Sequence, residues 1–330
     1  MPMSGYAVVA VETTGISPAG EHGVTEIAVI HVNAYGQPGD EWSTLVEPAG
    51  PSARMPVASP AGPHRTPPPF AAIAGDLAGL LADRVVVAHN LDFCVRFLVA
   101  EYDRLGIDVP LETGTGLCTL RMAREFLPEA GRSLRACCAA AGIEHHGVHH
   151  ALATARATSG LLRHYLELAP APPPWAQLLR TSRLLRWPRL RRNGTPPVHR
   201  GEVRAEAAHA LSRLVDRLPR GEEPPDLDPY LDLVDHALVD PHISADADAL
   251  DDTARYLRVS GTALATAHRH YLSALVRQAS ADGVLADAGR EDLVRVTELL
   301  RIDRAALTDA VARARSGAGG EPVGPGGTRP

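Results

Sequence analysis

The sequence predicts an α/β domain built on a mixed sheet, followed by an all-helical region. Three observations carry this. Two apolar runs, 5–12 and 24–32, come first, and the second contains "TEIAVIHV", rich in β-branched residues. A buried-strand pattern, "RVVVAHN", then sits between stretches of helical apolar spacing, and strands alternating with helices favour a layered sheet. Finally, "APAPPPW" at 169–175 ends the alternation, because successive prolines cannot continue a helical hydrogen-bond ladder, and from 230 onward only helical patterns follow.

Taken in order, 5–12 and 24–32 are strands and "EWSTLVEP" is a third. A Pro-rich loop fills 51–69, the spacing over 70–81 predicts a helix, and 84–90 reads as a strand ending in polar residues. Helices are expected at 91–106, 119–127, 133–141 and 149–168. Residues 175–193 form a partly helical, Arg-rich connector around Trp187, and a further helix is expected over 202–218. Four regions result: 1–168, a connector at 169–229, a helical domain at 230–315, and a Gly/Pro-rich tail at 316–330 expected to be disordered. Within the helical region "DPHISADADALDDTARYLRVSGTAL" aligns with "DGVLADAGREDLVRVTELLRIDRAAL", a weak internal repeat of helix, break and helix. The segment is not an EF-hand, since alternate positions after Asp282 are Val284 and Ala286 instead of oxygen ligands.

Length, 330 residues, allows two domains, and 45% apolar residues support ordinary cores. Net charge is −6, which argues against a general polyanion binder, but the charge is uneven. It is −6 over 1–170, +8 over 171–220 and −8 over 221–330, and all 33 basic residues are Arg. Cys94, Cys118, Cys137 and Cys138 lack the spacing of structural zinc sites and read as reduced core thiols. No apolar stretch approaches the ~20 residues of a membrane span, and the start lacks secretory features, so the expected location is the cytoplasm.

The chemistry begins at "VVAVETTG", 8–15, where an apolar run delivers Glu12 to a turn-like Thr13, Thr14 and Gly15. A nuclease opens a metal site this way, but with two carboxylates, and position 10 is Ala. Downstream stand "VAHNLDFCVRFLVAEYDRLG", "CTLRMAREFLP", "SLRACCAAAGI" and "HHALATARATSGLL". Together, over about 5–168, these segments resemble the DnaQ-like, DEDDh-type 3′–5′ exonucleases. The first motif there is Asp-x-Glu-Thr-Thr-Gly, the second His-Asn-x-x-Phe-Asp, and the third His followed five positions later by Asp.

The resemblance implies a ribonuclease-H-like exonuclease fold and a two-metal site. In such a site carboxylates hold two Mg²⁺ or Mn²⁺ ions that activate a water, and a His is the general base. Carried over, the four ligand positions are Ala10, Glu12, Cys94 and Thr154, and the base is His149. Only Glu12 and His149 remain. Asp92 is no substitute for Cys94, because on a helix it points about 200° away. The expectation is therefore a catalytically degenerate, pseudoenzyme form of the fold with no cofactor. His145, His146, His149 and His150 are read as solvated loop residues.

The resemblance also places Thr13, Thr14, Gly15, His89 and Asn90 along a cleft that would take a nucleic acid 3′ end. Arg186, Arg189, Arg191 and Arg192 can neutralise phosphates, with Trp175 and Trp187 available for base stacking, or the connector can glue the acidic domains together. The helical region resembles, more loosely, TerB-like modules, through "ADGVLADAGREDL". The function expected is binding of nucleic acid ends or of a DNA replication or repair partner. Two alternatives stand beside it: an active metal-dependent 3′–5′ exonuclease, similar to the epsilon subunit of DNA polymerase III, with a rebuilt site using Mg²⁺ or Mn²⁺; and a protein-interaction scaffold acting through the helical domain.

Overall fold

Strand β1, Tyr6–Thr13, is buried along its whole length because it is central, with neighbours on both edges and helices on both faces. Antiparallel pairing joins it to β2, Val24–Val32, which pairs in turn with β3, Pro38–Leu45. The computed structural model from which these elements are taken describes residues 5–20, 22–49, 66–145, 150–200, 210–221, 223–239, 247–281 and 287–317. Helix α1, Phe70–Leu81, leads to β4, Val85–Ala88, which lies parallel to β1 on its other side. Helix α2, Leu91–Arg104, then leads to the two-residue β5, Leu117–Cys118, parallel to β4. Sheet order is β3-β2-β1-β4-β5, the mixed sheet expected. Strand β5 was not legible because two residues are too short to show a period. Helices α3, Thr119–Phe126, α4, Leu134–Ala140, and α5, Ala151–Leu168, complete the layers.

Side-chain alternation divides the core. Ala7, Val9 and Val11 of β1 face α1 and α2, packing with Ile73, Leu77, Phe97 and Tyr102. Tyr6, Val8 and Ala10 face the other way, onto Cys137, Ala155, Leu161 and Tyr165 of α4 and α5. Glu12 shares this second face, which decides where its carboxylate goes.

The connector is partly helical, as expected. Helix α6, Ala176–Thr181, is followed by a short 3-10 turn ending at Leu184, and 185–199 run without helix. Pro188 forces Trp187 out of the helical region of backbone space. The extended stretch lies as a strap across α1, where glycine is required: a methyl at Gly75 would meet the Arg191 carbonyl, and one at Gly79 the Arg192 guanidinium. Asn193 Nδ2 and Thr195 Oγ1 both donate to the Ala72 carbonyl, at 3.0 and 2.7 Å. Further on, the Leu45 amide donates to the Val198 carbonyl at 2.7 Å, which carries the chain along β3. The base-stacking expectation is corrected for Trp175. Trp175 is buried, donating to Tyr6 Oη and packed on Phe126, and Trp187 packs against the α1–α2 core.

Among the described residues six helices follow: α7, Ala210–Asp216; α8, Asp228–Val239; α9, Ala247–Tyr256; α10, Gly261–Ala281; α11, Asp287–Leu299; and α12, Arg304–Gly317. The first nine residues of the stretch 201–218, most of the 51–69 loop and the tail from 318 lie outside the described residues. Leu214, Tyr230, Val234, Leu272, Leu275 and Val296 form the helical core, and Ile16, just past β1, inserts into it. The internal repeat has a structural counterpart. Each "LRV" or "LRI" break is the same helix terminus, with Arg258 at φ 56 and Arg301 at φ 49. Val259 and Ile302 each reach back, at 2.9 Å, to the carbonyls of Ala254 and Thr297, as in a Schellman cap.

Candidate functional site

The β1–β2 register places Glu12 directly opposite Glu26, and Ala10 opposite Ala28. Both carboxylates are nearly inaccessible, Glu12 at 8% and Glu26 at 2% exposure. Two carboxylates at that spacing repel. An Arg from the strap meets Glu26: Arg200 Nε lies 3.0 Å from Glu26 Oε2. Neither Glu26 nor Arg200 was singled out from sequence. Glu26 interrupts an otherwise apolar strand at the parity of Glu12, which is a usable signal once the strands are paired; Arg200 carries no local signal.

The N-terminus of α5 borders the same pocket. His150 is its N-cap, with Nδ1 accepting from the amides of Leu152 and Ala153 at 3.2 and 3.4 Å. Glu26 Oε1 approaches the same nitrogen at 3.7 Å. Thr154, half-buried, follows one turn later. His146 and His149 lie outside the described residues.

On the other flank, Asn90 adopts the left-handed conformation, φ 57, and its Oδ1 caps α2 by accepting from the Phe93 amide at 3.3 Å. This sets Cys94 in the first turn at 5% exposure. Burial pushes its thiol up to about 12, and Cys118, Glu12 and Asp232 nearby push the same way, so it stays neutral. Asp92 turns aside to accept from Arg121 at 3.1 Å, as its position on a helix requires.

This flank is covered. Helix α8 lies against it, and Asn90 Nδ2 donates to the Pro229 carbonyl and to Asp232 Oδ2, both at 2.9 Å. Asp228 is held by Arg124 at 2.5 and 2.9 Å. Asp235 accepts from Tyr271 Oη at 2.7 Å, and Arg132 Nε stands 3.4 Å away. Burial raises both Asp232 and Asp235, the latter to about 6 in spite of Arg132. His89 is half-buried, and burial lowers its pKa to about 4, so the ring is neutral. Its Nδ1 and Nε2 bond Thr119 Oγ1 at 3.0 Å and the Arg132 carbonyl at 3.1 Å. His89 and Asn90 therefore tie the cleft wall to neighbouring elements instead of lining an accessible strand path. Thr13 Oγ1 donates to the Gly15 carbonyl at 2.7 Å and Thr14 Oγ1 accepts from the Gly23 amide at 3.1 Å, so this trio holds the turn after β1. Two surface hollows, about 560 and 580 Å³, lie beside Arg121 and Arg96, away from Glu12.

Arg186, Arg189, Arg191 and Arg192 are exposed. They ride on the strap over α1, on the sheet face opposite Glu12, so the structure does not join them to the cleft.

The donor set does not fit a pair of hard cations, which need several carboxylate or carbonyl oxygens. Ala10, Cys94 and Thr154 offer no carboxylate, and Glu26 already faces a guanidinium. Among the described residues, no three His, Cys, Asp or Glu side chains are grouped to hold a metal. Nor, among them, is any helix long and apolar enough to cross a membrane.

Residues 9–162 match the family model described as Exonuclease, RNase_T. DNA polymerase III subunit epsilon of Rickettsia prowazekii (strain Madrid E) is 30% identical over 148 residues, which is 43% of this chain. The match spans 65% of the length of that relative. Among solved structures, exonuclease X in complex with 5′-overhanging duplex DNA is 23% identical with a TM-score of 0.37, over 53% of this chain and 99% of that one. E. coli exonuclease I in complex with a dT13 oligonucleotide is 18% identical with a TM-score of 0.39, over 48% and 40%.

Proposed function

We propose that this protein, whose residues 9–162 match the exonuclease family model and fold around a mixed five-stranded sheet, uses a DnaQ-like domain to bind nucleic acid without cutting it. One observation carries the reading. At the positions that the family resemblance assigns to metal-binding carboxylates stand Ala10, Cys94 and Thr154 beside Glu12, and Glu26, opposite Glu12, is paired with Arg200. A two-metal displacement needs carboxylates to hold the ions, and among the described residues the mapped ligand positions offer only Glu12.

Binding is assigned to the strap. Its four exposed arginines lie in the one segment of the chain with strong positive charge, +8 over 171–220. Phosphate contacts of this kind give affinity without sequence readout and fall steeply with salt. The epsilon relative makes a replication or repair setting the natural one. The test is a labelled single strand titrated at several salt concentrations. The wild type is expected to bind in a salt-dependent way and leave the 3′ end intact, and neutralising Arg186, Arg189, Arg191 and Arg192 should reduce the log–log salt slope by about 2–3. An unchanged slope would remove the strap from the account.

A further inference from the structure

Resting on the nucleic-acid reading above, we propose that α8 is a stand-in for a nucleic acid strand carried within the chain. Its row of carboxylates occupies a row of guanidinium and amide donors that would take the phosphates of a single strand once the helix lifts away. The strap is then the outer contact for nucleic acid, and this row is a second one, kept covered.

Asp228, Asp232 and Asp235 stand at i, i+4 and i+7 of α8, on one helical face and ~6 and ~4.5 Å apart along the axis. Each meets a donor of the first domain. Arg124, on α3, holds Asp228 through Nε and Nη2 at 2.5 and 2.9 Å, and Asn90 donates to Asp232 at 2.9 Å. Arg132 Nε stands 3.4 Å from Asp235. Arg220, only 5% exposed at the side chain, donates to the carbonyls of Leu120 and Gly131 and closes the row 3.8 Å from Asp228. Three carboxylates thus answer three guanidiniums. Leu233, on the same helix, joins the core cluster that holds Phe93 and Cys94, so α8 is seated by packing as well as by charge.

Such a row suits phosphate as well as it suits carboxylate. A guanidinium presents the same two-pronged edge to either group, and Arg124 already uses that edge on Asp228. The helix leaves part of the row unused: Arg132 Nε and Arg220 Nε are buried and make no hydrogen bond to a protein group among the described residues. A flexible strand can turn its phosphate oxygens toward them, whereas carboxylates fixed on a helix cannot. The row also runs up to the pocket of the mapped ligand positions, because Asn90 caps α2 and Cys94 lies in the first turn of that helix.

The experiment uses the full chain with Arg186, Arg189, Arg191 and Arg192 neutralised, so that strand binding reads this row alone. Adding Asp228→Asn, Asp232→Asn and Asp235→Asn, which leaves the arginines uncompensated and favours release of α8, should raise affinity for a labelled single strand roughly tenfold at low salt. The log–log salt slope should steepen by about 1–2, and a further Arg124→Gln/Arg132→Gln change should remove the gain. No gain in a folded variant overturns the proposal, and so does a gain for a polyglutamate peptide without one for the oligonucleotide. If the triple variant does not fold, hydrogen exchange of the strap-neutralised protein decides. Excess single strand at low salt should speed exchange of the α8 amides, since a ligand that binds only the lifted state must populate it; unchanged exchange overturns the proposal. Failure of the strap reading is scored separately, as strand binding that strap neutralisation leaves unchanged before α8 is altered.

Discussion

Restoring a carboxylate at position 94 puts the electrostatic argument to a quantitative test. Cys94 sits at 5% exposure with Glu12 and Asp232 nearby, and its thiol is raised from 9.0 to about 12. That rise corresponds to about 4 kcal/mol of resistance to a negative charge at this point. An aspartate placed there by Cys94→Asp meets the same resistance, so its folded pKa should rise from ~3.9 to roughly 7. A carboxyl raised on folding holds its proton in the native state, so stability is full below about pH 4 and falls as pH climbs toward 7. Between pH 5 and 7.5 the loss should be about 2–3 kcal/mol, against a total stability of only ~5–15 kcal/mol. Urea unfolding of Cys94→Asp and Cys94→Ser, each at both pH values, isolates the charge from the change of shape. The reasoning fails if the two variants track each other with pH, or if Mg²⁺ restores Cys94→Asp to the stability of Cys94→Ser.

Asp235→Asn should flatten the pH profile. Burial raises the Asp235 carboxyl from 3.8 to about 6, so wild-type stability declines through that window, by about 1 kcal/mol between pH 5 and 7, and parallel profiles for the two proteins would refute this. Arg258→Gly should add about 1 kcal/mol, because only glycine adopts φ 56 without steric cost. Arg301→Gly should gain less in the same urea titration, since Arg301 also pairs with Asp248 and Asp251.

How much of this was legible depends on whether the controlling interaction is local. The run "VVAVETTG" fixes a buried strand ending in a turn, and the apolar spacing of 70–81 fixes α1 to the residue. The absent carboxylates at 10, 94 and 154 are visible once a family pattern aligns the chain. Contacts between distant segments were not visible. The burial of Asn90 depends on Asp232, 142 residues away, and the pairing of Glu26 depends on Arg200, 174 residues away. The connector was read as partly helical and Arg-rich, which is correct as far as Leu184. Its path beyond depends on Gly75 and Gly79 of α1, which leave room for a second backbone to cross.

The most direct measurement is the fate of a 3′-labelled single strand incubated with the full-length wild type and Mn²⁺, beside Glu12→Ala under the same conditions. The account predicts intact strand in both, at every metal concentration. Shortening of the strand by the wild type that disappears in Glu12→Ala would contradict it.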